Sequence, residues 1–244
     1  MHHIDPLQLI LVDIETVPAY PRFESLPDEW KNLWIARIRH QLPEGQGPAD
    51  LYPVRAGVMA EFSRIICISI GYFIRDRNLF LKLMSFSQAD ESALLQAFIS
   101  RMDLIQQHQK GWAFAGHNIR EFDIPFICRR LLANRMSIPG YLNFQHMKPW
   151  ETHIVDSFQY WRFGDYKHFT SLDLLAAVLQ VPSSKGDMDG SMVGPVYWEE
   201  GTDLHRAGNL ERIVRYCEKD VVTTGNVILR LAGMPILHPD DILD

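Results

Sequence analysis

An apolar run that leads into two acidic residues is the feature that most constrains the fold of this chain. The segment from Leu7 to Val12 is rich in Leu, Ile and Val, which predicts a buried strand, and Asp13-Ile14-Glu15 terminates it. Side chains alternate along a strand, so Asp13 and Glu15 would face one way and Ile14 the other. Two neighbouring carboxylates at the edge of a core need compensation, and a divalent cation is the simplest source. The alternative is a pair of solvated acids at a strand end.

A second acidic position follows a short predicted strand. Asn118 and Asp123 lie in a segment that leads into a predicted helix, with Pro125 close behind. Asp123 and Asn118 could belong to the same site as Asp13 and Glu15. Alternatively, Asp123 could cap the predicted helix, with proline in the first turn, and Asn118 could be an ordinary turn residue. The sequence of this segment alone leaves both interpretations open.

A third acidic position lies on a long predicted helix near the end of the sequence. Tyr216 and Asp220 are four residues apart, so they share one helix face. That face borders the apolar stripe of Ile213, Cys217 and Val221, where an aspartate needs a partner. The alternative is an exposed helix surface with a solvated Asp220 and a core tyrosine.

The order of predicted elements indicates an α/β fold with a mixed sheet and helices packed on it. Hydrophobic spacing predicts a first strand, a hairpin and a short third strand, and then a segment that begins as a strand and continues as a loop. The predicted strand segments are Leu7–Val12, Ile65–Ile74, Leu79–Phe86, Trp112–Ala115 and Ile154–Trp161. The predicted helices are Glu91–Gln107, Ile124–Asn134, Leu172–Leu179 and Leu210–Leu231, with a loop-rich segment at Val181–Gly208.

We expect one domain over residues 1–244, with an insertion at about residues 20–54. The insertion holds many of the prolines and one predicted amphipathic helix near Asp28–Gln41. Its role, as a lid or a substrate guide, is left open by the sequence.

Composition excludes several classes of protein. The net charge of −6 counts against a pure nucleic-acid-binding module, although bound cations would make it tolerable in an enzyme. The three cysteines share no CxxC spacing, which argues against a disulfide framework or a cysteine zinc site and favours reduced thiols in the cytoplasm. We expect no membrane span, and we find no P-loop, dinucleotide fingerprint or nucleophile elbow.

Further charged and aromatic side chains lie outside the three acidic motifs. Asp156 is expected to cap a helix or face solvent, with a further acid near the site as the alternative, and Arg129, Arg130 and Arg135 are expected to form a solvated helix face. Lys167, His168 and Lys185 in later loops are likewise expected to be solvated, although a nucleic-acid strand could contact these loops if Tyr166 and Phe169 stack on bases.

Taken together, the three acidic motifs resemble those of the DEDD superfamily of exonucleases, in its tyrosine-bearing branch. The matching motifs are D-I-E at 13–15, N-x-x-x-F-D at 118–123 and Y-x-x-x-D at 216–220. The segments from Ala60 to Gly71 and from Asp189 to Ser191 also resemble stand-alone exonucleases related to the proofreading domain of family B DNA polymerases. The resemblance spans residues 9–231, and no polymerase domain is expected within these residues.

This resemblance implies a ribonuclease H-like fold and a 3′–5′ exonuclease that acts on DNA, preferably single-stranded. It implies that two divalent cations, Mg²⁺ or Mn²⁺, are held by Asp13, Glu15, Asp123 and Asp220. Tyr216 would orient the attacking water and help to deprotonate it, and the product would be a nucleoside 5′-monophosphate.

Residues expected from the resemblance to contact the substrate are Ile14, Thr16, Asn118 and Phe122, the last with a core role as the alternative. A 3′–5′ exoribonuclease is the alternative activity, since the same motifs serve both polymers. A catalytically silent binding module would lack at least one acid, and all four are present. A phosphodiesterase of small nucleotides is a further alternative, and the oligomeric state is left open.

Overall fold

The computed structural model describes residues 4–109, 111–148, 151–183, 186 and 188–243. The strands are β1 Leu9–Pro18, β2 Ser63–Arg75, β3 Leu79–Phe86, β4 Ala113–Gly116, β5 Ile154–Asp156 and β6 Ile242–Leu243. The α-helices are α1 Asp28–Ile38, α2 Pro48–Arg55, α3 Glu91–His108, α4 Asp123–Ala133, α5 Ser157–Arg162, α6 Leu172–Val178, α7 Gly190–Tyr197 and α8 Asp203–Leu231. None of the described helices is long and apolar enough to cross a membrane.

The strands form one six-stranded mixed sheet in the order β5-β4-β1-β2-β3-β6. β1, β2 and β3 form an antiparallel meander, which confirms the predicted hairpin, and β4 and β5 add in parallel beside β1. The prediction that the first strand ends before the acidic pair was wrong. β1 continues to Pro18 because β2 pairs with it along this whole length.

The two faces of the sheet carry different helices, and side-chain alternation along β1 separates them. Ile10 and Ile14 point into a core shared with α3 and α4. Leu9 and Leu11 point into a second core, where Val221 and Ile228 of α8 pack. The predicted α/β class, a mixed sheet flanked by helices, is confirmed. Asp13 and Glu15 have the same parity as Leu11, which directs both acids toward α8.

Two segments predicted as loops contain helices. β5 runs directly into α5, and Asp156 caps that helix by accepting hydrogen bonds from the backbone N–H groups of Phe158 and Gln159. The segment 181–208 contains α7, which Asp189 caps, and the first six residues of α8. Both α5 and α7 are shorter than nine residues, so they contain too few turns for a clear helical periodicity.

Residues 20–54 form two helices where the sequence predicted one. α2 begins at Pro48 and contains Pro53, and the prolines obscured it because they are rare inside helices. The Trp34 ring packs edge to face against the rings of Tyr52 and Phe62, with a distance of 5.2 Å between ring centroids in each pair. The division of the chain into one domain with an insertion stays a prediction.

A buried ion pair joins α3 to α4, which corrects the prediction that Arg130 is solvated. The Arg130 guanidinium donates to both carboxylate oxygens of Glu91, at 2.9 Å and 2.6 Å, and to the carbonyl oxygen of Ala60 at 2.8 Å. Glu91 also accepts the backbone N–H of Ile65 at 2.7 Å, at the start of β2. The side chains of Arg130 and Glu91 are only 14% and 8% exposed. Arg129 and Arg135 are exposed, as predicted, and Lys185 lies outside the described residues.

Candidate active site

β1 brings the first two acids of the candidate site into the body of the sheet. Asp13 pairs with Ser69 and Glu15 pairs with Cys67 of β2, so neither acid lies at a free strand end. The register shifts immediately after Glu15, between Glu15 and Thr16, which marks a local irregularity of the kind often found beside active sites. Glu15 is 8% exposed, so its carboxylate is largely withdrawn from water.

Asp123 reaches the same place from the other side of β1. It is the first residue of α4, it is 4% exposed, and its Oδ1 accepts the backbone N–H of Ile14 at 3.2 Å. This hydrogen bond ties the start of α4 to the strand between the two acids. The helix-capping alternative for Asp123 was wrong, because Phe122 occupies the capping position.

α8 supplies the remaining two side chains of the candidate site. Tyr216 and Asp220 lie one turn apart on the face toward β1, and the Tyr216 hydroxyl hydrogen-bonds with Asp220. A Cβ at Gly190, at the start of α7, would lie 3.9 Å from the Tyr216 hydroxyl, so the start of α7 borders the site. The five side chains predicted as catalytic therefore lie together.

The four carboxylates form one electrostatic cluster. Burial raises the pKa of Asp13 and Glu15 well above the usual range, and the charge of Asp220 raises both further. Burial also raises the pKa of Asp123 to about 7, against the effect of its backbone hydrogen bonds. Burial and the neighbouring acids raise the pKa of Tyr216. All of these increases in pKa have one physical cause, which is that negative charges are held close together and away from water.

A buried thiol lies against the acids, and the sequence did not predict this contact. The Cys217 thiol donates to Oδ2 of Asp13 at 3.2 Å and lies beside Cys67, while burial raises its own pKa. Asp13, Glu15 and Cys217 each place a potential ligand atom within 4.8 Å of the others. Because hard cations prefer oxygen ligands, we interpret Cys217 as a support for Asp13 rather than as a ligand. The expectation of reduced cysteines agrees with three free thiols.

The residues predicted to contact substrate have structural partners in the protein. The Ile14 side chain lies in the core, and the Thr16 hydroxyl donates to the carbonyl oxygen of Gly57 at 2.7 Å. Phe122 packs against Phe126 with ring centroids 5.3 Å apart. Their contacts with substrate stay predictions, since core packing accounts for the positions of Ile14 and Phe122.

Asn118 has a more unusual environment. Its backbone is in the left-handed region with φ of 59°, and its N–H donates to Oδ1 of Asp156 at 2.9 Å. Within the described residues, its side-chain oxygen is buried and has no hydrogen-bond partner. A buried polar atom of this kind is usually satisfied by water or a ligand. The predicted contact between Asn118 and substrate stays a prediction, and the unpaired side-chain oxygen gives a physical reason for it.

Asp156 fixes the turn that leads to Asp123. It is almost fully buried and accepts the backbone N–H groups of Asn118 and Arg120, at 2.9 Å and 3.1 Å, besides capping α5. The capping prediction was correct and the solvent-facing alternative was wrong. The only signal in the sequence was the aspartate before a serine and an aromatic residue, which does not reveal contacts with a turn more than 30 residues earlier.

Comparisons with known proteins bear on the family of this chain. Residues 58–236 match a family described as a predicted 3′–5′ exonuclease related to the exonuclease domain of PolB. The matched residues include Asp123, Tyr216 and Asp220 and begin after Asp13 and Glu15. A search among curated proteins gave no match.

Among solved structures, the chain is similar to the family B DNA polymerase from the hyperthermophilic archaeon Pyrobaculum calidifontis, with 12% sequence identity and a TM-score of 0.44. The alignment covers 93% of this chain and 27% of that polymerase chain, so the chain spans about a quarter of its length. The match over residues 58–236 includes more than half of the chain. The protein therefore belongs to the family of predicted 3′–5′ exonucleases related to the exonuclease domain of PolB.

Proposed function

We propose that this protein is a 3′–5′ exonuclease that hydrolyses single-stranded DNA with two divalent cations and releases nucleoside 5′-monophosphates. The observation that carries the proposal is the convergence of Asp13, Glu15, Asp123 and Asp220 with Tyr216 at one place in the fold. These side chains come from three separate elements. A purely structural role does not explain why a fold would gather four acids that repel one another.

The donor set of this cluster fits Mg²⁺ or Mn²⁺. The four side chains offer carboxylate oxygens, which hard cations prefer, and their mutual repulsion would be relieved by added positive charge. When bound, the cations would supply positive charge to the scissile phosphate and to the attacking and leaving oxygens. Asp13, Glu15, Asp123 and Asp220 would hold them, and Cys217 would keep Asp13 in position through its 3.2 Å hydrogen bond.

Other side chains of the site would orient the reactants. Tyr216 places its hydroxyl beside Asp220 and next to the start of α7, where it would orient the attacking water. The side-chain oxygen of Asn118 is buried and has no partner among the described residues, and a donor on the substrate strand would satisfy it. Ile14, Thr16 and Phe122 each adjoin one of the acids along the chain, and they would border the terminal nucleotide, Ile14 through its backbone because its side chain lies in the core.

The relation of the family to the exonuclease domain of PolB supports DNA as the substrate. The net charge of −6 supports a single-stranded substrate, because tight binding of a long duplex depends on many contacts from basic side chains to phosphates. An exoribonuclease would use the same acids, so a direct comparison of the two polymers separates these activities.

We expect hydrolysis to require a free 3′ end. A single strand blocked by a 3′ phosphate or an inverted nucleotide should resist digestion in Mg²⁺ or Mn²⁺, while the same strand blocked at its 5′ end should be degraded normally. Product chromatography should show nucleoside 5′-monophosphates. Equal digestion of 3′-blocked and open strands would instead indicate an endonuclease and contradict the proposal.

A further inference from the structure

A loop after α5 exposes three aromatic rings within seven residues. Phe163, Tyr166 and Phe169 are 86%, 76% and 64% exposed. Phe163 has a φ of 44°, in the left-handed region that bulky residues rarely adopt, so the protein accepts backbone strain there without burying the ring. Clustered exposed rings usually mark an interaction surface. We call residues 162–169 the aromatic loop.

Contacts beneath the aromatic loop hold part of it in place. The Arg162 guanidinium lies 4.1 Å from the centre of the Tyr166 ring and 5.5 Å from that of Phe158. Phe169 packs on Phe158 with centroids 5.1 Å apart. The Tyr166 and Phe169 rings are therefore supported from α5 while most of their surface stays open to solvent.

The aromatic loop is joined to the turn that leads into Asp123. The two nitrogens of His117 lie 2.9 Å from the carbonyl oxygen of Thr170 and 2.9 Å from the hydroxyl of Ser157. On the other side of that turn, Arg162 forms an ion pair with Glu121 at 3.7 Å. Burial lowers the pKa of His117, so this link is a neutral hydrogen-bonded one at neutral pH. The loop thus lies beside the second acidic motif.

One exposed cationic side chain of the aromatic loop, Lys167, could meet a phosphate of a nucleic-acid strand. Lys167 is exposed between Tyr166 and His168, and Arg162 lies under the Tyr166 ring. The acid of the loop, Asp165, accepts hydrogen bonds from the Lys167 backbone and the His168 ring, so its carboxylate faces these two donors. Exposed rings beside cationic side chains are the combination that binds unpaired strands.

We propose that the aromatic loop binds the unpaired part of the substrate strand, with bases stacked on Phe163 and Tyr166 and a phosphate near Lys167. This inference rests on the proposed function for the presence of a strand at the neighbouring acids. It predicts a preference for unpaired over duplex nucleic acid, because bases in a duplex are already stacked and their faces are hidden.

Fluorescence anisotropy with a labelled phosphorothioate oligothymidine, which resists hydrolysis, tests the proposal in Mg²⁺. Phe163→Ala and Tyr166→Ala should each raise the Kd by roughly tenfold, and Tyr166→Phe should restore binding because it keeps the ring. Leu204→Ala removes an exposed apolar side chain from the first turn of α8 and should leave the Kd unchanged. Thermal unfolding of each variant checks that the fold is intact.

Wild-type Kd values for the two alanine variants would overturn the inference, as would an equal loss of binding to a blunt duplex. The outcome is separable from the proposed function. If the wild-type protein hydrolyses open strands but the variants bind normally, only this inference fails. If the wild-type protein hydrolyses nothing but the variants lose binding, only the proposed function fails.

Discussion

Asp13→Asn is expected to lower exonuclease turnover by roughly a thousandfold or more, because several kcal/mol of transition-state stabilisation depend on the cations that this carboxylate would hold. The amide has almost the same shape as the carboxylate and keeps an oxygen that can accept the Cys217 thiol. The fold should therefore survive the change, while the charge that attracts a cation is lost.

Thermal unfolding gives a second readout of the same variant that is independent of turnover. Mg²⁺ or Mn²⁺ should raise the melting temperature of the wild-type protein, because a cation that binds only the folded state stabilises it. This rise should be much smaller in Asp13→Asn. In EDTA the variant should be at least as stable as the wild type, because Asp220, Asp123 and Glu15 all disfavour the charged form of Asp13.

Asp76→Asn is the matched control, since it makes the same chemical change in the turn between β2 and β3, outside the site. It should leave both turnover and the metal-dependent melting temperature unchanged. Full activity of Asp13→Asn in either metal would show that Asp13 is not a catalytic ligand, and the assignment of the site would then be wrong.

Arg130→Met should destabilise the protein by about 3–5 kcal/mol, the cost of leaving one member of a buried ion pair without its partner. Methionine fills a similar volume, but it leaves the buried Glu91 carboxylate without the guanidinium that donates to both of its oxygens. It also removes the hydrogen bond to the carbonyl oxygen of Ala60. For a chain of this size the melting temperature should fall on the order of 10 °C.

Lys31→Met provides the comparison for this prediction. Lys31 pairs with Asp28 at 3.2 Å, but the Asp28 side chain is almost fully exposed, so the loss should stay below about 1 kcal/mol. Chemical denaturation of both variants measures the difference in the free energy of unfolding. Equal destabilisation by the two substitutions would mean that burial of the Glu91–Arg130 pair is energetically unimportant.

The parts of the fold that the sequence predicted are those with a local physical signal. Isoleucine-rich content marked β2, the apolar run that follows the polar residues 75–78 marked β3, and helical spacing marked α3 and the greater part of α8. Alternation along β1 predicted that Asp13 and Glu15 share a face, and the four-residue spacing of Tyr216 and Asp220 predicted the same for α8.

The parts that the sequence did not predict depend on tertiary contacts. The extension of β1 to Pro18 requires its pairing with β2, and the hydrogen bond from Cys217 to Asp13 joins residues 204 positions apart. Arg130 and Asp156 carry no local sign of burial, because charged residues are exposed by default. Their roles depend on Glu91 and on the turn at Asn118, which only the folded chain brings close.

Digestion of a 5′-labelled single-stranded DNA in Mg²⁺, Mn²⁺ or EDTA, with an RNA strand of the same sequence alongside, tests the central claim most directly. We expect the labelled DNA to shorten progressively from its 3′ end in either metal, to stay intact in EDTA, and to be degraded faster than the RNA. An intact strand in both metals, internal fragments without progressive shortening, or digestion that EDTA does not stop would contradict a metal-dependent 3′–5′ exonuclease.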